Sequence, residues 1–501
     1  MEYKFENKVL PCMEACLRET RNSEETLEIR IPDGMPDAGK ILASWGQSVL
    51  RSKEWRSDQI SCSAGMMVWV LYQPDQGEKP QCLEGWIPHS VRWELPKDTP
   101  EGDMCIDLQT QFVDARITTA RKIIVRSGIS AYAECWTRKD AQLYTPGKLP
   151  DSIQILRKKY PLRLVKEAGE KAFQIGEQLN LPPSAPKPEK LLFYTLSPAV
   201  TEKKIVANKF VFRGSANLHF LYEAKDGQLY TWDMPLSISQ YGQLEESYGQ
   251  TGAGEVVLCV TSLEVSLDGE GAIDVTVSMT AQYIVTEQEL VEVVEDAYEP
   301  GRAVQLNSCQ LSVPVILDTW KETVDVRREL AGKADIIVDT WVNVDYPRQR
   351  RTESGFDMEY PGQIQVLYYG SDGMLSSGTG RFEGKLPVKA DIGCSLCSQL
   401  QRISEPQISM GADTMDASIQ VPVQISVLQT GDLKMVSGIS VGEAEKPDPN
   451  RPSLVIKRVG RTGLWDIAKA AGSTVEAIRK ANNLEEDPKP GCMLLIPVSG
   501  Q

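Results

Sequence analysis

Four things are scarce in this chain, and each scarcity removes a class of function. Histidine is almost missing: among 501 residues there are two, His89 and His219. That disfavours histidine triads, Cys–His peptidases, HExxH zinc sites and most zinc amidases, all of which need imidazole beside the reacting group. Positive charge is in deficit, with 54 Lys and Arg against 69 Asp and Glu and a net charge of −15. A general nucleic-acid binder needs a basic stripe to displace counterions from phosphates, so no nucleic-acid partner is expected. An anionic membrane surface is disfavoured for the same reason. Long apolar runs are absent. Stretches such as Met66 to Tyr72 fall far short of the roughly 20 residues of a spanning helix, and no transmembrane segment is expected. Residues 1–8 mix charges and never open into an apolar stretch, so no export signal is expected either. The eleven cysteines are odd in number and lack a framework spacing, which suits a reducing compartment. These features together predict a cytoplasmic protein.

What is present is a repeat. Val70-Leu71-Tyr72 recurs as Phe220-Leu221-Tyr222 and as Val366-Leu367-Tyr368, and five residues after each tyrosine comes Gly77, Gly227 or Gly373. Asp226-Gly227 and Asp372-Gly373 suit type I′ hairpin turns, since both positions tolerate positive φ. Farther on, Val125, Val275 and Val421 sit at the same spacing from the repeated leucine. Around the last two, Ile273, Val275, Val277, Met279, Ala281 and Ile419, Val421, Val423, Ile425, Val427 alternate with mostly polar residues. Such alternation marks strands with one face in a core. The first copy alternates less cleanly, with Ile123, Ile129 and Ala131 in register. Ile31-Pro32, Pro36 and Lys40-Ile41-Leu42 recur as Leu181-Pro182, Pro186 and Lys190-Leu191-Leu192, and the third copy keeps an apolar pair at Ile336-Ile337.

The fold class expected is mainly β: three repeated, sandwich-like antiparallel modules at 1–150, 151–300 and 301–444. One short helix is a candidate at Ile153–Tyr160, ending before a proline, and Cys12 and Cys16 could share a helix face. A proline-rich linker follows at 445–452, extended by composition. Residues 453–501 form a small α+β domain of order βααβ. In it Leu454-Val455-Ile456 is a strand, and Leu464, Ile467, Ala468 and Ala471 form one helical face that Gly472 can end. Ser473-Thr474-Val475-Glu476 reads as a capping box with the serine as cap. Val475, Ile478 and Ala481 should face the core. Asn482-Asn483 closes that helix and Met493–Ile496 is the returning strand. This tail carries eight Lys and Arg against five Asp and Glu from Arg451 onward, opposite in sign to the acidic body.

The tail resembles the LysM family, through Leu464-Trp465-Asp466-Ile467-Ala468, Ser473–Glu476, Lys480–Leu484 and Gly491 with Leu494–Pro497. The resemblance implies a shallow groove between two loops that binds N-acetylglucosamine polymers such as peptidoglycan. Its positions here would be Gly460, Arg461, Thr462, Gly463 and Leu464 from the first loop and Asn482, Asn483, Leu484 and Glu485 from the second. The first loop departs from the family, since Gly460–Gly463 replaces the usual Gly-Asp-Thr before Leu-Trp. A single copy also lacks the avidity of tandem modules. Glycan and protein therefore both stand as ligands of this groove. Three such repeats followed by one LysM module resemble the SPOCS-domain proteins of endospore-forming bacteria. That resemblance implies a mother-cell protein recruited to the forespore surface, linking the coat's basement-layer ATPase, stage IV sporulation protein A, to the envelope.

Candidate catalytic patterns read as structural. Gly34–Lys40 has P-loop spacing, but Ile41 stands where a magnesium-binding Ser/Thr belongs and Pro36 removes an amide. The second copy keeps Pro186 and Lys190 without the glycines, so a turn is expected. Cys394-Ser-Leu-Cys397 lacks a second ligand pair for zinc, and His219, beside Asn217, falls on the polar side of its strand, expected in solvent. No enzyme, metal or cofactor is expected. A LysM-targeted wall hydrolase using two carboxylates is the remaining enzymatic class.

Overall fold

The computed structural model describes all residues except 76–78, 270, 392, 412, 445–451, 461, 462 and 499–501, and the side chains of 312–317 and 428–432. Strands hold 74% of the chain and helices 3%, the helices being confined to the tail. After β1 (Glu2–Lys4), each module is one pass of the same design. Module 1 is β2 (Glu6–Arg30), β3 (Ala38–Arg56), β4 (Gln59–Pro74), β5 (Gln81–Glu94), β6 (Asp103–Thr119) and β7 (Lys122–Thr145). Module 2 repeats it as β8 (Gln154–Leu179), β9 (Pro188–Val206), β10 (Lys209–Ala224), β11 (Leu229–Gln243), β12 (Ala253–Leu267) and β13 (Ile273–Tyr298). Module 3 breaks two of the strands. It runs β14 (Arg302–Ala331), β15 (Ile336–Val344), β16 (Arg348–Thr352), β17 (Gly355–Tyr369), β18 (Leu375–Lys389), β19 (Cys394–Leu400), β20 (Gln407–Met410) and β21 (Thr414–Ala444).

In every module the last strand pairs antiparallel with both the first and the fifth, and the second, third and fourth form a meander. The alternating residues are what bring the two sheets together. Ile273, Val275, Val277, Met279 and Ala281 are at most 2% exposed, and Ile419, Val421, Val423 and Ile425 are fully buried. Module 1 alternates imperfectly because Ser127 takes a core position, where its hydroxyl bonds His89 Nε2 at 2.9 Å; His89 Nδ1 meets Ser23 at 3.1 Å. The expected helices in the body are strands: Ile153–Tyr160 runs into β8, and Cys12 and Cys16 lie on β2. Pairing with β13 along the whole of β8 overrides the local helical pattern.

The repeat motifs now have causes. Tyr72 Oη donates to Pro36 O at 2.9 Å and Tyr222 Oη to Pro186 O at 3.1 Å, tying the third strand to the turn after the first. The turns at Asp226-Gly227 and Asp372-Gly373 are not type I′. Only the glycines have positive φ, 79° and 71°, and each aspartate accepts from the backbone two residues on. This is the three-residue hairpin loop closed by a left-handed glycine. Gly77 lies outside the described residues.

The modules do not string out. Val70 and Tyr72 face module 1's own core, while Leu71, Leu221 and Leu367 meet in one hub built by all three modules. Phe193 stacks on Trp45 of module 1 at 4.7 Å and meets Trp341 of module 3 edge-on at 5.2 Å. At the other end the long first and last strands run past the sandwiches as paired arms. Leu10, Leu143, Leu164, Val291 and Met435 join the three arms in a second shared core. A bulge sits in each ribbon, at Cys16 in β2, Lys166 in β8 and Leu317 in β14, the first two at the same place in the repeat. An extra residue bends a ribbon, which directs the arms toward each other. Strand β1 pairs with β21, so the first residues of the chain are sewn onto module 3.

Candidate functional site

The tail is β22 (Leu454–Arg458), α1 (Leu464–Ala471), α2 (Val475–Asn482) and β23 (Met493–Pro497), with β22 and β23 antiparallel. Gly472 ends α1 in the left-handed conformation and Asn483 does so for α2. The cap of α2 is Thr474, which accepts from Ala477 N at 3.1 Å, and not Ser473. Ser473 is fully buried and its hydroxyl donates to Pro497 O, so it locks the helix pair to β23. Ala481 is exposed, leaving Ile478 as the fully buried residue of α2.

The candidate groove residues divide by role. Leu464 is in the tail's core and Leu484 packs half-buried against it. Asn482 is consumed structurally: its Nδ2 donates to Leu495 O at 2.6 Å and its Oδ1 accepts from Leu495 N at 2.8 Å. That amide imitates one rung of a neighbouring strand. Gly460, Gly463, Asn483 and Glu485 are exposed, and a Cβ at either glycine would meet nothing within 4 Å. Arg461 and Thr462 lie outside the described residues.

Two surfaces were not legible in the sequence. The first is the seat of the tail on the body. A bulge between Val294 and Asp296 near the end of β13 re-aims Asp296, whose carboxylate accepts from Trp465 Nε1 and Lys469 Nζ, each at 2.8 Å. Tyr298 enters the tail's own core, 5% exposed, edge-on to Trp465 at 4.9 Å, with its hydroxyl on Ser473 O at 2.9 Å. The second is the outer face of β22–β23, where Leu454 (51%), Ile456 (62%), Met493 (62%) and Leu495 (38%) stand exposed together.

Between the modules lies a cavity of about 1700 Å³, lined by residues of all three. His219 is on its wall, and not in open solvent as its strand position suggested. Its Nδ1 faces Asp233 at 3.3 Å, and its Nε2 faces Asp339 of module 3 at 3.2 Å. Burial alone would push the imidazole down; hydrogen bonds to Asp233 and Asp339 and their charges outweigh it and raise it to about 10. The cation therefore bridges modules 2 and 3. The folded value lies above the ordinary 6.5, so this contribution to stability is complete below about pH 6.5 and lost as pH rises through about 10. Melting temperature against pH should fall over that window in the native chain, and the fall should flatten in His219→Gln. Equal alkaline slopes in both would refute the bridge.

Cys394 faces the core of module 3 while Cys397, three along the strand and so on its other face, lines the cavity. Among the described residues no three His, Cys, Asp or Glu side chains cluster as metal ligands would, and no helix is long and apolar enough to cross a membrane. No family model, curated protein or solved structure matches the chain.

Proposed function

We propose that this protein is a non-enzymatic adaptor of the bacterial spore envelope, whose three-module body holds a LysM-like tail as a protein-docking surface. The SPOCS-like repeats with a single LysM-like tail motivate the setting: the mother-cell cytoplasm, the forespore surface, and the basement-layer ATPase as partner. The observation that carries the docking role is the apolar face of β22–β23. Four large side chains exposed together on a small sheet are the signature of a protein contact, whereas an N-acetylated sugar is read by polar loop groups beside an apolar floor. Anchoring by Asp296 and Tyr298 supports the same reading, because a clamped module presents its free face in one orientation and spares the partner an ordering cost.

Peptidoglycan or N-acetylglucosamine binding is the second reading, favoured by the open space at Gly460 and Gly463 beside exposed Asn483 and Glu485. The two separate by mutation in the full chain. Ile456→Asp with Leu495→Asp should weaken binding to purified stage IV sporulation protein A by roughly 30-fold or more in interferometry, as truncated interface anchors do. Glu485→Ala should leave it unchanged. The reverse pattern would move the docking site to the loops.

A further inference from the structure

The two-stranded sheet of the tail has two outer edges, and the chain closes one of them. Val498 N donates to Ser453 O at 3.0 Å and Val459 N to Cys492 O at 2.8 Å, which places the hydrogen-bonded positions of β22 and its flanks at Ser453, Val455, Lys457 and Val459. In an antiparallel pair the residues between those positions turn their N–H and C=O away from the partner strand. On β23 such residues include Leu495 and Pro497. Asn482 holds both backbone groups of Leu495, and Pro497 O accepts from the Ser473 hydroxyl. The body closes β6 in the same way, where Gln282 accepts from Ile106 N at 3.0 Å and donates to Ile106 O at 2.8 Å.

On β22 the outward residues are Leu454, Ile456 and Arg458. Among the described residues β22 pairs only with β23, and nothing takes up these outward groups. The edge is regular, with no register shift and no proline between Leu454 and Arg458. Its five residues are close to the usual length of a strand. The anchors from the body engage other parts of the tail: Asp296 holds Trp465 and Lys469 of α1, and Tyr298 bonds Ser473 O. The side chains of Leu454, Ile456 and Arg458 share one face by the period of a strand, and all three are exposed. Lys457 is exposed too, and among the described residues neither Lys457 nor Arg458 forms an ion pair.

We infer that β22 takes an acidic, extended segment of the partner as an added strand, with apolar side chains beside Leu454 and Ile456 and a carboxylate beside Arg458. This mode rests on the protein-docking role of the tail and supplies the chemistry of what docks. Unpaired edges recruit extended chains, backbone hydrogen bonds giving affinity and alternate side chains specificity. Lys457 and Arg458 repel a second copy of the same strand and favour an acidic one.

The test uses the full chain and the fluorescein-labelled heptapeptide Glu-Glu-Ile-Thr-Ile-Glu-Glu, which reads the same in either strand direction. Anisotropy should show saturable binding. The same peptide with lysine for glutamate should bind at least roughly tenfold weaker, because like charges then meet. Ile456→Ala and Ile456→Pro both remove the isoleucine side chain, but only proline removes the outward N–H, a group the ladder with β23 does not use. The alanine variant should still bind the acidic peptide, and the proline variant should not. Lys457→Glu with Arg458→Glu should reverse the preference between the two peptides. Hydrogen exchange through α1 and α2 shows whether each variant folds, and the charge reversal carries the test if Ile456→Pro does not. Absence of saturable binding, equal binding by the alanine and proline variants, or an unreversed preference would each overturn the added strand. If that happens while Ile456→Asp with Leu495→Asp still weakens binding to purified stage IV sporulation protein A, the tail docks by its face alone. If that protein is indifferent as well, the docking role itself falls.

Discussion

Leu221→Ala should cost about 3 kcal/mol and lower the stability of all three modules together, in one unfolding transition. Leu71 and Leu221 are fully buried and Leu367 is 2% exposed, and their neighbours in the hub come from every module. Truncating a buried leucine removes its transfer energy and leaves a cavity, together worth about 2–5 kcal/mol. The arms couple the same modules at the far end. Modules 1 and 3 each have a core of their own, but the hub and the arms couple those cores to module 2. Urea denaturation followed both by tryptophan fluorescence, which reports Trp45, Trp69 and Trp341 near the hub, and by far-ultraviolet dichroism should give coincident curves. A variant that melts one third of the signal and spares the rest would show three independent domains.

Tyr298→Ala should release the tail. The ring fills the tail's core beside Val459, Leu464 and Ile467, meets Trp465 edge-on, and bonds Ser473 O. Removing a buried aromatic side chain costs about 3–5 kcal/mol, while Tyr298→Phe forfeits only the hydrogen bond, about 1 kcal/mol. Hydrogen exchange should accelerate through α1 and α2 in the alanine variant, with the body unchanged, and remain close to native in the phenylalanine variant. If both variants protect the tail as the native chain does, Tyr298 is not its seat. The same geometry predicts that residues 451–501 expressed alone fold poorly, since they lack this ring and expose Trp465.

Much of the body was legible because its signal is periodic. Val275 and Val421 announce two-faced strands whose inner residues are buried as the alternation requires. The tail's elements were legible from helical spacing and from Gly472 and Asn483 at the helix ends. What escaped was every feature made by residues distant in the chain. The repeated leucine looked like part of a hairpin motif; its cause is a hub that exists only when three copies meet. His219 looked solvated because its strand neighbours are polar, and Asp339, which buries and charges it, is 120 residues away. Ser473 looked like a cap because it precedes a helix, yet its hydroxyl is claimed by Pro497 across the fold. Asn482 looked like a ligand group and is a substitute strand rung for Leu495. Local pattern names the element, and the partner of a polar side chain is set by topology.

The adaptor account rests on the tail meeting protein through its sheet face, and one calorimetric comparison addresses it directly. The full chain is titrated in parallel with chitohexaose and with purified stage IV sporulation protein A. The account predicts saturable heat with the protein, lost in Ile456→Asp/Leu495→Asp, and none with the sugar. Saturable heat with chitohexaose, abolished by Glu485→Ala and indifferent to the sheet-face substitutions, would contradict it.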